Sequence, residues 1–246
     1  MVYLPSAHDL RANANGTAEN CPIPIRTSGD CLDSAIVFTG DTLWISGIYQ
    51  SLGYARLFIS QVPSTQHSWT KLDPPLNENE GDCPSLAMTT MHDGDTGRVP
   101  AIHYLSQHFS MAGTSKDTVS VQSSFAKWDG SVWENRQAQL IYFTDNIDMR
   151  EPGIVTIGDE VYLSWAGTPD KYGKHEIYVG YSASGGQEFA SGALASYIEG
   201  GGNSYPMNTS MIVDVIGRAT VLWLEKVETS FGMRFELHVS HVIDNL

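Results

Sequence analysis

Apolar residues along this chain fall in short runs of four to eight, many of them β-branched or aromatic, divided by clusters of Gly, Asp, Asn, Pro and Ser. Nowhere do they recur at the three-to-four-residue spacing of an amphipathic helix, so the pattern predicts strands joined by turns. The clearest stretch is EPGIVTIGDEVYLSWAGTPDKYGKHEIYVGYSAS, residues 151–184. Ile154 to Ile157 reads as a strand, Gly158 and Asp159 as a tight turn, and Val161 to Trp165 as a second strand. A loop from Gly167 to Gly173 precedes a third strand, Ile177 to Tyr181. Three strands cannot bury both of their faces alone, so copies of the unit are expected elsewhere in the chain.

Such copies are present. Placing Gly40 on Gly158 aligns Asp41 with Asp159, Trp44 with Tyr162, Ile45 with Leu163 and Asp33 with Glu151, and a third strand follows from Arg56 to Val62. Gly217 on Gly158 likewise puts Ile216 on Ile157 and Ser210 at the Glu151 position, with strands at Val221 to Leu224 and Phe235 to Val242. A middle copy has a longer first turn, His92 to Arg98; Pro84 falls on Pro152, Cys83 on Glu151, and a fourth strand reads from Gln139 to Thr144. The landmarks Asp33, Cys83, Glu151 and Ser210 are separated by 50, 68 and 59 residues.

A repeating sheet unit of this size predicts an all-β fold, a small β-propeller. A sandwich does not demand the same turn and strand order four times. The chain then reads as one domain over 1–246, with four blades at about 31–78, 83–145, 150–200 and 205–246. Five blades are the alternative, should residues 1–30 fold into more than one strand. The string CPIPIRT, 21–27, is expected to close the last blade as its outer strand, its prolines restricting it to an edge.

Composition narrows the function classes. With 14 Lys+Arg against 28 Asp+Glu, a net charge of −14 repels phosphate backbones and anionic lipid, which argues against a nucleic-acid partner. No apolar run reaches the ~20 residues of a membrane span, so membrane insertion is not expected, and no signal peptide is visible at the N-terminus. Only 17% of residues are charged, so the surface is filled by Ser, Thr, Gly, Asn and Gln, a look common among extracellular β proteins. Two sequons, at Asn15 and Asn208, fit that setting. Cys21, Cys31 and Cys83 lack zinc-ribbon spacing; they read as buried small hydrophobes, with one disulfide as the alternative. The eight histidines show no HxH or HExxH arrangement, so no metal ligands are assigned and no cofactor is expected. His103, His238 and His241 read as packed or hydrogen-bonded residues.

WDGSVW, Trp128 to Trp133, and SASGGQEF, Ser182 to Phe189, each place a Gly three residues before an aromatic. They resemble the SxDxGxxW Asp box of sialidase-like propellers, with Ser184 in place of the motif's Asp and Phe189 in place of its Trp. In that family the box is a structural turn between outer strands. The blade pattern over 31–246 also resembles fungal and bacterial propeller lectins. Sialidase chemistry would need an arginine triad and an FRIP string, and Pro24-Ile25-Arg26 does not keep that order. A further resemblance is to five-bladed furanosidases, whose acids sit on inner strands: DCP at Asp82 and REP at Arg150 echo their ECP and RDP strings, though in the opposite order and without the first-blade NDPNG.

Two constellations follow. Inner-strand starts in a propeller converge on the axis, which would bring Asp33 or Asp30, Asp82 and Glu151 to one pocket, with Arg150 beside Glu151 a further candidate. A glycosidase needs such a pair of carboxylates; the alternative is that these acids cap the inner strands or bind a structural cation in the axial channel. The second constellation is aromatic. Sugars present apolar C–H faces beside hydroxyls, so a Trp or Tyr platform flanked by polar groups suits them. Trp69, Trp128 and Trp133 are expected near outer turns, and Tyr49, Tyr54, Tyr172 and His175 in loops between second and third strands, whereas Trp44, Trp165 and Trp223 belong to the inter-blade core. The leading expectation is a glycan-binding lectin, its affinity raised by repeated pockets or homo-oligomerisation. A propeller glycoside hydrolase is the alternative, and a protein-interaction propeller the third reading.

Overall fold

A computed structural model describes residues 31–51, 54–66, 68–75, 82–94, 97–110, 117–141, 150–167, 176–194 and 204–242. They form fifteen strands in four antiparallel sheets. The first sheet holds β1 (Cys31–Phe38), β2 (Thr42–Ser51), β3 (Tyr54–Pro63) and the short β4 (Thr70–Leu72), side by side in chain order. The second holds β5 (Asp82–His92), β6 (Arg98–Ser110), β7 (Asp117–Trp128) and β8 (Trp133–Ile141). The third holds β9 (Arg150–Ile157), β10 (Glu160–Gly167), β11 (Glu176–Ser182) and β12 (Ala190–Leu194). In the fourth are β13 (Ser204–Val213), β14 (Ala219–Thr229) and β15 (Gly232–His241). This is a β-propeller, as the repeated strand and turn order requires.

The turn that anchored the sequence alignment recurs in space. Gly40, Gly158 and Gly217 all hold positive φ, at 107°, 60° and 84°, a region that any Cβ makes costly. Each turns an inner strand back into the second strand of its blade, and the pairing β9–β10 runs from Glu160 opposite Ile157 to Ser164 opposite Gly153.

Inner strands pack one against the next, β1 on β5, β5 on β9 and β9 on β13, and the apolar faces they carry build three seams. Between the first two blades lie Trp44, Ile48, Leu57 and Ile59 against Leu86, Ile102, Tyr104 and Trp133. Between the second and third, Met91, Leu105 and Phe125 meet Ile154, Leu163 and Trp165. The third and fourth join through Val155, Tyr162, Ile177 and Val179 against Met211, Val221 and Trp223. Trp44, Trp165 and Trp223 are thus all core, as expected. Among the described residues β13 does not pack on β1 to a comparable extent, and the outer face of the fourth blade is left bare.

Strand ends differ from expectation in the outer strands. The fourth strand of the second blade starts earlier than the expected Gln139: Asp129 to Val132 is the turn from β7 into β8, which begins at Trp133. The reason lies in the turn itself, where the Asp129 carboxylate accepts the N–H groups of Ser131 and Val132, both at 2.7 Å. Those bonds hold its pKa below the ordinary carboxylate range. SASGGQEF plays the same part between β11 and β12, with the Ser182 hydroxyl accepting Gly186 N–H at 3.0 Å. β4 and β12 are too short and too polar to stand out as apolar runs, and segment 21–27 lies outside the described residues.

Candidate functional site

Asp33 and Glu151 occupy equivalent places near the starts of β1 and β9, and each reaches across to the next blade. The Asp33 Oδ2 accepts the Ser85 hydroxyl at 2.8 Å and the Leu86 N–H at 3.1 Å, both on β5. Its Oδ1 accepts Ser34 N–H at 2.8 Å. Glu151 repeats the device one blade pair further on: Oε2 accepts Thr209 N–H from β13 at 3.0 Å, and the Glu151 carbonyl accepts the Thr209 hydroxyl. An acid at the head of one inner strand thus clasps the backbone of the following one, which explains why two blades carry it.

Glu151 differs in one respect. It is the non-glycine residue with positive φ among those described, at 60°, a conformation costing about 1 kcal/mol or more in an L residue. The Thr209 contacts hold it there, at the end of the propeller where the inner strands begin. Asp82 opens β5 and Arg150 opens β9 at this same end. The strands that carry the sequence-predicted acids therefore begin at one end of the propeller. Asp33 and Glu151 both have the capping role that was the alternative to catalysis.

A third inter-blade tie was not legible as a site. His103 on β6 is fully buried; its Nδ1 lies 2.9 Å from the Gly153 carbonyl and its Nε2 2.8 Å from the Ser123 hydroxyl. A carbonyl can only accept, so Nδ1 carries the proton and Nε2 accepts from Ser123. The ring meets Trp165 edge to face at 6.1 Å. Loss of solvation pushes the imidazole down to about 4, a shift that the Gly153 bond only partly offsets. Thr209, Ser85 and Ser123 were likewise missed. They are small polar residues beside strand landmarks, and nothing in their spacing marks them.

The aromatic constellation is redistributed. Trp44, Trp128 and Trp133 gather with ring centroids 5.6 to 6.2 Å apart, filling the outer end of the first seam. Trp133 is 9% exposed and Trp69, which covers Ile45 and Val62 on the first blade, is 8% exposed, so neither offers an open platform. Trp69 and Trp133, expected near outer turns as sugar-binding aromatics, are instead buried, and at Trp133 the turn folds back on its sheet and carries the flanking ring into the seam. Tyr49 is half-buried, its ring 6.2 Å from Phe58. Tyr54 begins β3, whereas Tyr172 and His175 lie outside the described residues. Cys83 is fully buried in the first seam, as expected of a small hydrophobe. Among the described residues no His, Cys, Asp and Glu cluster is suited to a metal ion, and no helix is long and apolar enough to cross a membrane.

No family model and no curated protein matches this chain by sequence. Solved structures do match by shape. An α-L-arabinanase of Penicillium chrysogenum, solved with arabinobiose, superposes with a TM-score of 0.61 at 8% identity, over 87% of this chain and 63% of its own. The α-L-arabinofuranosidase Arb93A of Fusarium graminearum gives a TM-score of 0.58 at 9% identity over 87% and 67%. A protein of unknown function from Dyadobacter fermentans gives 0.53 at 10% over 85% and 64%. The chain thus spans just under two thirds of the length of the first and third of these. The fold is one that glycoside hydrolases use. At this identity the likeness is one of fold, and it is to arabinanase and arabinofuranosidase propellers.

Proposed function

We propose that this protein is a carbohydrate-active propeller, a glycoside hydrolase directed at furanose-containing glycans such as arabinosides. The observation that carries the reading is the gathering of Asp33, Asp82 and Glu151 at the heads of three successive inner strands, on a fold similar to arabinan-cleaving enzymes. Hydrolysis of a glycosidic bond needs one carboxylic acid to protonate the departing oxygen and one carboxylate, on the far side of the sugar, to attack or to deprotonate water. Glu151, fixed by Thr209 in a strained backbone, is the candidate for the positioned carboxylate; Asp82 on the adjacent inner strand is the candidate acid.

The test is release of sugar from arabinan and from a panel of aryl glycosides that includes the α-L-arabinofuranoside. Turnover should be lost in Glu151→Gln and in Asp82→Asn while the circular dichroism spectrum stays that of the parent. Absence of release from every substrate overturns the hydrolase reading. A second reading, glycan binding without turnover, is favoured by the engagement of Asp33 and Glu151 in joining blades. It predicts binding on a glycan array by a chain that leaves the bound sugars intact.

A further inference from the structure

Each inner strand carries one residue more than the strand it pairs with, close to where it begins: between Cys31 and Asp33, Asp82 and Ser85, Arg150 and Gly153, and Met207 and Ser210. Such a bulge interrupts the ladder and re-aims the side chains beside it. In the third blade Arg150 stands opposite Ala166 and Gly153 opposite Ser164, so Glu151 and Pro152 share the place facing Trp165. Glu151 holds φ at 60°, where a bulge of this kind ordinarily carries Gly, and Pro152 has no N–H to give to β10. The ladder alone therefore does not keep this bulge in place.

Neighbouring elements pin it. Thr209, from the fourth blade, gives its hydroxyl to the Glu151 carbonyl and its N–H to the carboxylate at 3.0 Å. From the second blade, His103 gives its Nδ1 proton to the Gly153 carbonyl at 2.9 Å. A Cβ at Gly153 would collide with the Ser164 hydroxyl and Met211, so β9 lies tight against β10 and β13 there. His103 is itself fixed: Nε2 accepts the Ser123 hydroxyl at 2.8 Å, and the ring abuts Trp165, the residue that faces the bulge.

We propose that His103 is a positioning residue for Glu151: its bond to Gly153 fixes one end of the bulge and Thr209 the other, and together they hold the Glu151 carboxylate in its orientation. That Glu151 acts in hydrolysis rests on the reading proposed above; that His103 sets its place does not. Removing the His103 bond lets the bulge relax towards an ordinary φ at Glu151, which takes the carboxylate away from the Thr209 N–H.

His103→Asn and His103→Gln separate this role from mere filling of a polar site. An Asn amide nitrogen falls where Nδ1 was, within reach of Gly153, whereas a Gln amide falls at Nε2 and serves Ser123. Hydrogen exchange of the Thr209 amide, read by NMR against that of Val221 in the middle strand of the same blade, reports the clasp apart from overall stability. His103→Gln should speed Thr209 exchange at least ~10-fold more than Val221 exchange, and His103→Asn should change the two alike. On an arabinofuranoside that the parent cleaves, kcat should fall about 10-fold or more in His103→Gln with KM unchanged, and Asn should restore most of it. An unchanged exchange ratio in His103→Gln, or equal effects of Gln and Asn, would overturn the proposal. If the parent cleaves nothing, the hydrolase reading fails and the exchange ratio still decides the role of His103. In the parent itself, nitrogen NMR should show the His103 proton on Nδ1, coupled through the hydrogen bond to the Gly153 carbonyl; a proton on Nε2 refutes the proposal even if neither variant folds.

Discussion

Lowering the pH from 7.5 to 4.5 should weaken this fold through one residue, His103. Its imidazole is neutral in the folded protein because it is fully buried between two blades, with its Nδ1 proton committed to Gly153 and its Nε2 lone pair to Ser123. The folded value is about 4 against 6.5 for an unperturbed histidine. Between those values the unfolded chain takes up a proton that the folded chain refuses, so stability is complete above pH 6.5 and falls as pH drops towards 4. At 1.36 kcal/mol per unit, the full difference amounts to about 3 kcal/mol, a large part of the ~5–15 kcal/mol that holds a domain folded. Urea unfolding followed by tryptophan fluorescence, repeated from pH 7.5 to 4.5, measures it. His103→Phe supplies the reference: it loses stability at pH 7.5 because Ser123 and Gly153 are left unpaired, and it lacks the His103 contribution to the slope. The other titrating groups are common to both chains, and Asp129 and Asp214, whose acidities are raised by backbone bonds, titrate below this window. If parent and variant lose stability in parallel between pH 6.5 and 4.5, the buried neutral histidine is not the cause.

Two further outcomes follow from packing. Gly186→Ala drives a Cβ into the Phe125 ring at φ +83°, whereas Gly158→Ala meets nothing within 4 Å at φ +60°. Urea titration should show a loss of about 1 kcal/mol for Gly158→Ala and about 3 kcal/mol for Gly186→Ala, and equal losses would contradict the described contact. Trp44 donates its indole N–H to the Thr39 hydroxyl at 3.2 Å, while the buried Trp133 N–H has no hydrogen-bond partner among the described residues. Trp44→Phe should therefore cost about 1 kcal/mol more than Trp133→Phe, and a reversed order of unfolding midpoints would count against this account.

Alternation and turn chemistry are local, so the chain alone determined the first three strands of each blade, the glycine turns at Gly40, Gly158 and Gly217, and the repetition that makes a propeller. The seam tryptophans Trp44, Trp165 and Trp223 were legible for the same reason: an aromatic in the middle of a second strand has nowhere to go but a neighbouring blade. What Asp33 and Glu151 do was not legible, because their partners Ser85, Leu86 and Thr209 stand more than 50 residues away and belong to the next sheet. The same holds for His103, which reads as one more polar strand residue until β6 is laid against β9 and Gly153 presents its carbonyl. Nor could pattern separate Trp133 in a seam from Trp133 at an outer turn, since the residue flanks a turn and buries its ring at once. Only the stacking of sheets decided which polar groups face a blade and which face the axis, because that depends on register between strands that share no local sequence.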